Sequence, residues 1–294
     1  MDSKSTVSAS FSENRCRGAN TVRLFGLDFN ALSPEKARQQ VCKWLTDDEL
    51  RCRVVVTPNV DHVVQMQKNT HQKSAYQSAD LVVADGWPIV AVSRLLCCPL
   101  PGRVAGSDMV PALLAEWSGP SPLRVFLLGA APGVAELAAK RIHQDCAHSL
   151  VCGTYSPPLG FENDPRENER IIEILAAARP SLLIVGLGAP KQEIWLQRFS
   201  DRLRAKVAIA AGGTIDFLAG RQTRAPRWVQ RIGMEWFFRL ATDPRRLTRR
   251  YLYDAWVFPQ IVLGEFFVRI TRRDKSCESA NCSADPAWKQ RSEN

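Results

Sequence analysis

The sequence predicts a doubly wound α/β domain with a mainly parallel sheet, completed by a C-terminal helical, Arg-rich appendage. Three observations carry this. Short runs such as Val54-Val55-Val56 and Leu182-Leu183-Ile184-Val185 have the length and unbroken apolarity of strands buried on both faces. Segments with helical spacing of apolar residues separate these runs, and the two alternate as far as Ala210. After Gly220 the pattern gives way to nine arginines between Arg221 and Arg250, followed by an aromatic-rich stretch.

Residues 1–20 are Ser-rich without an apolar core, which predicts a disordered N-terminus and no signal peptide. Residues 22–29 alternate and predict a first strand. Ser33-Pro34 opens a helix to about Leu45, with Ser as N-cap and Pro in the first turn. A β-branched strand over 53–57 closes on Pro58-Asn59, and Val60, Val63, Val64 and Gln67 follow at helical spacing. A helical turn over 74–78 leads into Leu81-Val82-Val83, then Ala84-Asp85-Gly86-Trp87-Pro88 and a helix to Leu96. The loop over 99–106 carries Arg103, and Ser107-Asp108 caps a helix through Trp117. Strands are predicted at 123–128, 150–153, 181–185 and 206–210, and helices at 134–146, 166–178 and after Lys191. The domain plan is a disordered 1–20, an α/β core over 21–220, the appendage over 221–271 and a polar, disordered tail over 272–294.

The net charge of +9 on 294 residues is concentrated in the nine arginines, which implies an anionic partner: phosphate, nucleic acid or a lipid surface. The nine cysteines are scattered without zinc spacing, as in a cytosolic protein with reduced thiols and no bound metal.

The chemistry-bearing residues sit at strand ends: Thr57 and Asn59, Asp85, Gly129, Gly188 with Lys191 and Gln192, and Gly212 with Gly213. In a doubly wound sheet these ends share one edge, so residues far apart in sequence meet in one crevice. Asp85 there suits either general-base work or simple capping of the next helix. Gly129 leads into a helix start of the kind that holds phosphate. A nicotinamide enzyme is disfavoured: Gly186-Leu187-Gly188 has Lys191 where the third glycine belongs, and the next strand ends in Ala211-Gly212-Gly213, without a ribose-binding acid. No P-loop lysine is present. Nucleic-acid binding fits the arginines but not the single-edge cluster.

Thr57-Pro58-Asn59, Ala84-Asp85-Gly86, the 102–108 stretch Gly-Arg-Val-Ala-Gly-Ser-Asp, the 186–193 stretch Gly-Leu-Gly-Ala-Pro-Lys-Gln-Glu, Gly212-Gly213-Thr214-Ile215-Asp216 and Arg224-Ala225-Pro226 together resemble, in order, the bacterial WecG/TagA/CpsF glycosyltransferases. The resemblance spans about Arg23 to Tyr253. It implies an inverting, metal-independent enzyme that needs no cofactor. Such an enzyme moves a sugar from a UDP-sugar to a polyprenyl-diphosphate-linked saccharide at the cytoplasmic membrane. It places Asp85 as the general base with Thr57 and Asn59 beside the sugars. Arg103, Gly106, Asp108, Gly129, Gly188, Pro190, Lys191, Gln192, Gly212 and Gly213 would form the UDP-sugar pocket. Arg221, Arg224, Arg246 and Arg249 would meet the acceptor diphosphate. For Arg103 an ion pair with Asp108 is the alternative role, and His62 is the rival base. Trp87-Pro88 replaces a pair that is often small in the family. The donor sugar stays open among N-acetylmannosamine, its uronic acid and glucose. A non-catalytic anion- or RNA-binding module is the competing class.

Residues 251–270 are apolar and aromatic, but Asp254, Pro259, Glu265 and Arg269 interrupt them, so spanning a bilayer is not expected. With arginines ahead of it, the stretch predicts an interfacial helix on an anionic membrane surface. Packing on the core or in a homo-oligomer is the other outcome.

Overall fold

The computed structural model describes residues 21–49, 51–222, 225–226, 229 and 234–282, with side chains left aside at 239, 246 and 270–282. The predicted first strand is two. β1 (Thr21–Leu24) and β2 (Leu27–Asn30) pair antiparallel across Phe25-Gly26, both at positive φ, 55° and 79°. Two left-handed residues make the tight turn whose twist suits a hairpin.

The chain then runs α1 (Pro34–Thr46), β3 (Arg53–Val56), α2 (Val60–Met66), α3 (Thr70–Ser78), β4 (Leu81–Val82), α4 (Trp87–Leu95) and α5 (Gly106–Ala115). The second half is β5 (Leu123–Gly129), α6 (Val134–Asp145), β6 (Ser149–Tyr155), α7 (Pro165–Ala178), β7 (Leu182–Gly186), α8 (Lys191–Phe199), β8 (Val207–Ala210) and α9 (Thr214–Leu218). The appendage supplies α10 (Glu235–Thr242) and α11 (Pro244–Cys282).

The main sheet has six strands in the order β4-β3-β8-β7-β5-β6, all parallel. Successive side chains on a strand point to opposite faces. Val54, Val56, Leu183 and Val185 accordingly join one buried cluster, with α2, α3, α4, α7, α8 and the hairpin. Val55, Leu182, Ile184 and Ile209 join the other, with α1, α5, α6 and α9. Both faces being covered explains why these strands read as unbroken apolar runs. This is the Rossmann-like, doubly wound architecture the sequence predicts.

Caps agree with the local sequence. Ser33 Oγ accepts from Lys36 N at 3.2 Å with Pro34 behind it, and Asp164 Oδ1 accepts from Arg166 N at 2.9 Å ahead of Pro165. α5 starts at Gly106 on an Ala105 cap without a side-chain bond, so Ser107 and Asp108 lie inside its first turn rather than capping it.

α11 is one long helix that carries Pro259 within it. It lies on the hairpin and α2. Phe258 meets Phe25 with ring centroids 5.6 Å apart, and Phe25 N donates to Glu265 Oε2 at 3.2 Å. Arg269 donates to the Arg23 carbonyl, and Lys68 to the Tyr253 hydroxyl. The backbone of α11 continues past 271, where the sequence plan ends the appendage, as far as Cys282.

Candidate active site

Because the six strands are parallel, their carboxyl ends form one edge. Asp85 follows β4, Thr57 and Asn59 follow β3, Gly212 and Gly213 follow β8, Gly188 and Lys191 follow β7, and Gly129 ends β5. That row covers four strand spacings, about 19 Å at about 4.8 Å each.

Asp85 is fixed by backbone: its N–H donates to the Pro58 carbonyl at 3.0 Å, tying the end of β4 to that of β3. Arg103 Nε donates to its Oδ1 at 3.2 Å. The same guanidinium sets Nη2 at 3.4 Å from Asp108 and at 2.8 Å from Glu235, the first residue of α10. The ion pair with Asp108 raised for Arg103 is therefore present, and Asp85 and Glu235 are further partners. Burial works against the arginine's charge, but Asp85, Glu235 and Asp108 outweigh it and hold its pKa above the ordinary arginine value.

A cleft of about 340 Å³ opens beside this cluster. Asn59, Asp61, Asp85 and Arg103 line its core side; Glu235, Arg250 and Asp254 face them from the appendage. Trp87, Pro88, Trp236, Tyr251, Phe258 and Pro259 give it an apolar wall. Asn59 Oδ1 caps α2 by accepting from His62 N at 3.2 Å. Thr57 is buried behind the cleft, its Oγ1 3.5 Å from where a side chain on Gly106 would begin. His62 packs on Tyr76, ring centroids 6.0 Å apart, as expected of a helix-face histidine.

Further along the edge the row is built of backbone. Gly129 has φ +110°, and a Cβ there would stand 2.5 Å from the Gly186 carbonyl oxygen, so the ends of β5 and β7 close on each other. α6 and α8 begin at Gly133 and Pro190 without side-chain caps, which leaves N–H donors facing this edge. Lys191 Nζ lies 2.5 Å from Glu162 and holds that carboxyl below its usual pKa. Gln192 is 2% exposed; its Oε1 accepts from Gly212 N at 3.3 Å and its Nε2 donates to Glu193 at 2.8 Å, so it braces the glycine turn from beneath. Glu193 is buried and accepts from the Tyr76 hydroxyl at 3.2 Å, a structural role.

Of the tail arginines, Arg221 and Arg249 are exposed, and the cleft takes Arg250. Arg224 and the side chain of Arg246 lie outside the described residues. Three cleft carboxylates escape a sequence reading centred on strand ends: Asp61, Asp254 and Glu235. Glu235 had one available signal, as one of only two acids, with Asp243, among the nine arginines of 221–250.

The profile of the Glycosyl transferase WecG/TagA/CpsF family matches residues 22–272. The chain belongs to this family. The resemblance of the quoted motifs is thereby established, and the chain is a glycosyltransferase. The match runs through α10 and most of α11, so the appendage is part of the shared WecG/TagA/CpsF sequence. Among curated members, the chain is 32% identical over 210 residues to an N-acetylglucosaminyldiphosphoundecaprenol N-acetyl-beta-D-mannosaminyltransferase of Bacillus spizizenii, covering 71% of this chain and 79% of that one. It is 30% identical over 196 residues to the Bacillus subtilis protein of the same name, covering 67% and 74%. It is 25% identical over 228 residues to the Staphylococcus aureus one, covering 78% and 87%. Among the described residues of this family member no helix is long and apolar enough to cross a membrane.

Proposed function

We propose that this glycosyltransferase moves N-acetylmannosamine from UDP to a polyprenyl-diphosphate-linked N-acetylglucosamine, with inversion and without a metal. The observation that carries the reading is the cleft itself: an acid at a strand end, arginines beside it, and an apolar wall supplied jointly by α4 and the appendage. The names of the curated relatives supply the sugar and the acceptor.

Asp85 takes the proton of the acceptor hydroxyl as that oxygen attacks the anomeric carbon from the face opposite UDP. The carbon–oxygen bond to UDP breaks, and its electron pair leaves with the diphosphate. The glycine turns at 129, 188 and 212–213, with the uncapped starts of α6 and α8, suit the nucleotide diphosphate. Lys191 lies beside them. Arg250, and the tail arginines Arg221, Arg224, Arg246 and Arg249 along with it, suit the acceptor's diphosphate, since guanidinium forks match its oxygens.

The acceptor's lipid implies a membrane. Leu252, Trp256, Leu263 and Phe267 are between 58% and 74% exposed and recur on one face of α11. Arginines precede them. This supports peripheral docking on the cytoplasmic face of an anionic membrane. Nucleic acid has no part in this reading, and a homo-oligomer is compatible with it.

The test is transfer by the purified full chain. UDP-N-acetylmannosamine, its uronic acid and UDP-glucose are offered with a short-chain polyprenyl-diphospho-N-acetylglucosamine. Acceptor-dependent release of UDP from the first is expected; release from none of the three overturns the reading.

A further inference from the structure

We infer that Glu235 of α10 is a positioning residue for the transfer, holding the Arg103 guanidinium so that its Nε stays on Asp85 and taking up part of its charge. The inference rests on Asp85 as the base.

The geometry is specific. Glu235 Oε2 lies 2.8 Å from Arg103 Nη2, closer than Asp108 at 3.4 Å. The Arg103 and Glu235 side chains are 11% and 13% exposed, against 43% for Asp108. The shorter link is also the better shielded, and a shielded ion pair is the stronger one. A guanidinium is a rigid plane, so a carboxylate that fixes Nη2 also fixes the direction of Nε. Nε is the nitrogen on Asp85, at 3.2 Å.

The two ends of this relay come from different parts of the fold. Arg103 and Asp85 belong to the α/β core and Glu235 to the appendage. The start of α10 is seated by the next residue, Trp236, which packs edge-on against Tyr251 of α11 with centroids 6.5 Å apart. Docking of the appendage therefore completes the electrostatic surroundings of the base as well as walling the cleft.

The charged groups around the relay are Asp85 after β4, Arg103, Asp108 on α5 and Glu235 on α10. Asp61 on α2 and Arg250 and Asp254 on α11 stand along the same cleft. With Glu235 neutral, the Arg103 charge bears more fully on Asp85 and favours its carboxylate. Protonation then needs more acid, and the carboxylate takes a proton less readily.

The experiment compares full-length Glu235→Gln and Glu235→Asp with wild type in kcat, in both KM values, in the pH–rate profile and in melting temperature. Glu235→Gln is expected to lower kcat roughly ten- to a hundredfold, the scale of a misplaced catalytic group. Donor KM should hold and the acidic limb should move to lower pH, while Glu235→Asp recovers much of the loss. An unchanged kcat and profile overturns the inference. So does a raised acceptor KM with lowered melting and an unmoved limb, which would make Glu235 a seat for α10 only. Asp85→Asn run alongside separates the two readings: near wild-type turnover there removes the base itself, whereas an inactive Asp85→Asn with an unchanged Glu235→Gln overturns the relay alone.

Discussion

Arg250 of α11 sets its Nε 3.3 Å from Oδ1 of Asp61 in the first turn of α2, tying the appendage to the core beside the cleft. Asp254 stands one helical turn further on, 6% exposed. Burial first, then the charge of Asp61, pushes its pKa up to about 6, with Arg250 opposing.

The sign of the pH effect follows. A carboxyl whose folded pKa is raised binds its proton more tightly in the folded state. Its contribution is present below the unfolded value of 3.8 and is lost as pH rises through about 6. Asp254→Asn, which mimics the protonated form, should raise the melting temperature at pH 8 by about 2–4 °C and change it little at pH 4. The same gain at both pH values would mean that Asp254 does not titrate between them.

Asp85→Asn should keep the fold and nucleotide binding while lowering turnover roughly 10²–10⁴-fold, the usual worth of a general base. UDP-dependent thermal stabilisation checks binding and steady-state rates check turnover. Turnover near wild type would assign the proton to another group.

Transfer should survive EDTA. The sequence has no Asp-x-Asp pair at a strand end, and in the proposed function the diphosphates fall to arginines, Lys191 and the uncapped helix starts. Loss of activity in EDTA with recovery on adding Mn²⁺ or Mg²⁺ would show that an ion is required.

Deletion after Gly220 should leave a folded α/β core with most transfer lost and no sedimentation with anionic liposomes. Single replacement sharpens this. Arg250→Ala, which removes a residue that lines the cleft and pairs with Asp61, should weaken transfer more than Arg249→Ala, which removes one outside that lining. Full activity and unchanged liposome binding in the shortened chain would make the appendage dispensable.

The strands and the row of polar ends are legible because a strand buried on both faces must be apolar throughout, and the break in that pattern marks its end. Asp85 stands out for that reason. The hairpin is not legible: Val22, Leu24, Leu27 and Phe29 keep an alternating look across Phe25-Gly26, and only the two positive φ values reveal the turn. Pro244 separates α10 from α11, but Pro259, which reads as an interruption, sits inside α11 without dividing it. Asp254 reads as a flaw in an apolar stretch because its neighbour Asp61 lies on α2, almost two hundred residues earlier. Glu235 is hidden for the same reason, since nothing local shows that α10 returns to Arg103.

The bond from Phe25 to Glu265 joins residues 240 apart. During synthesis the hairpin emerges long before the helix that covers it, by ten seconds or more at about 5–20 residues per second. The α/β layers close largely on nearer neighbours, so they are free to assemble while Phe25 still waits for Phe258. The far wall of the cleft is thus the last part to arrive. A ribosome-bound chain carries the open carboxyl edge of the sheet without the far wall of its cleft, which is complete only once translation has passed α11.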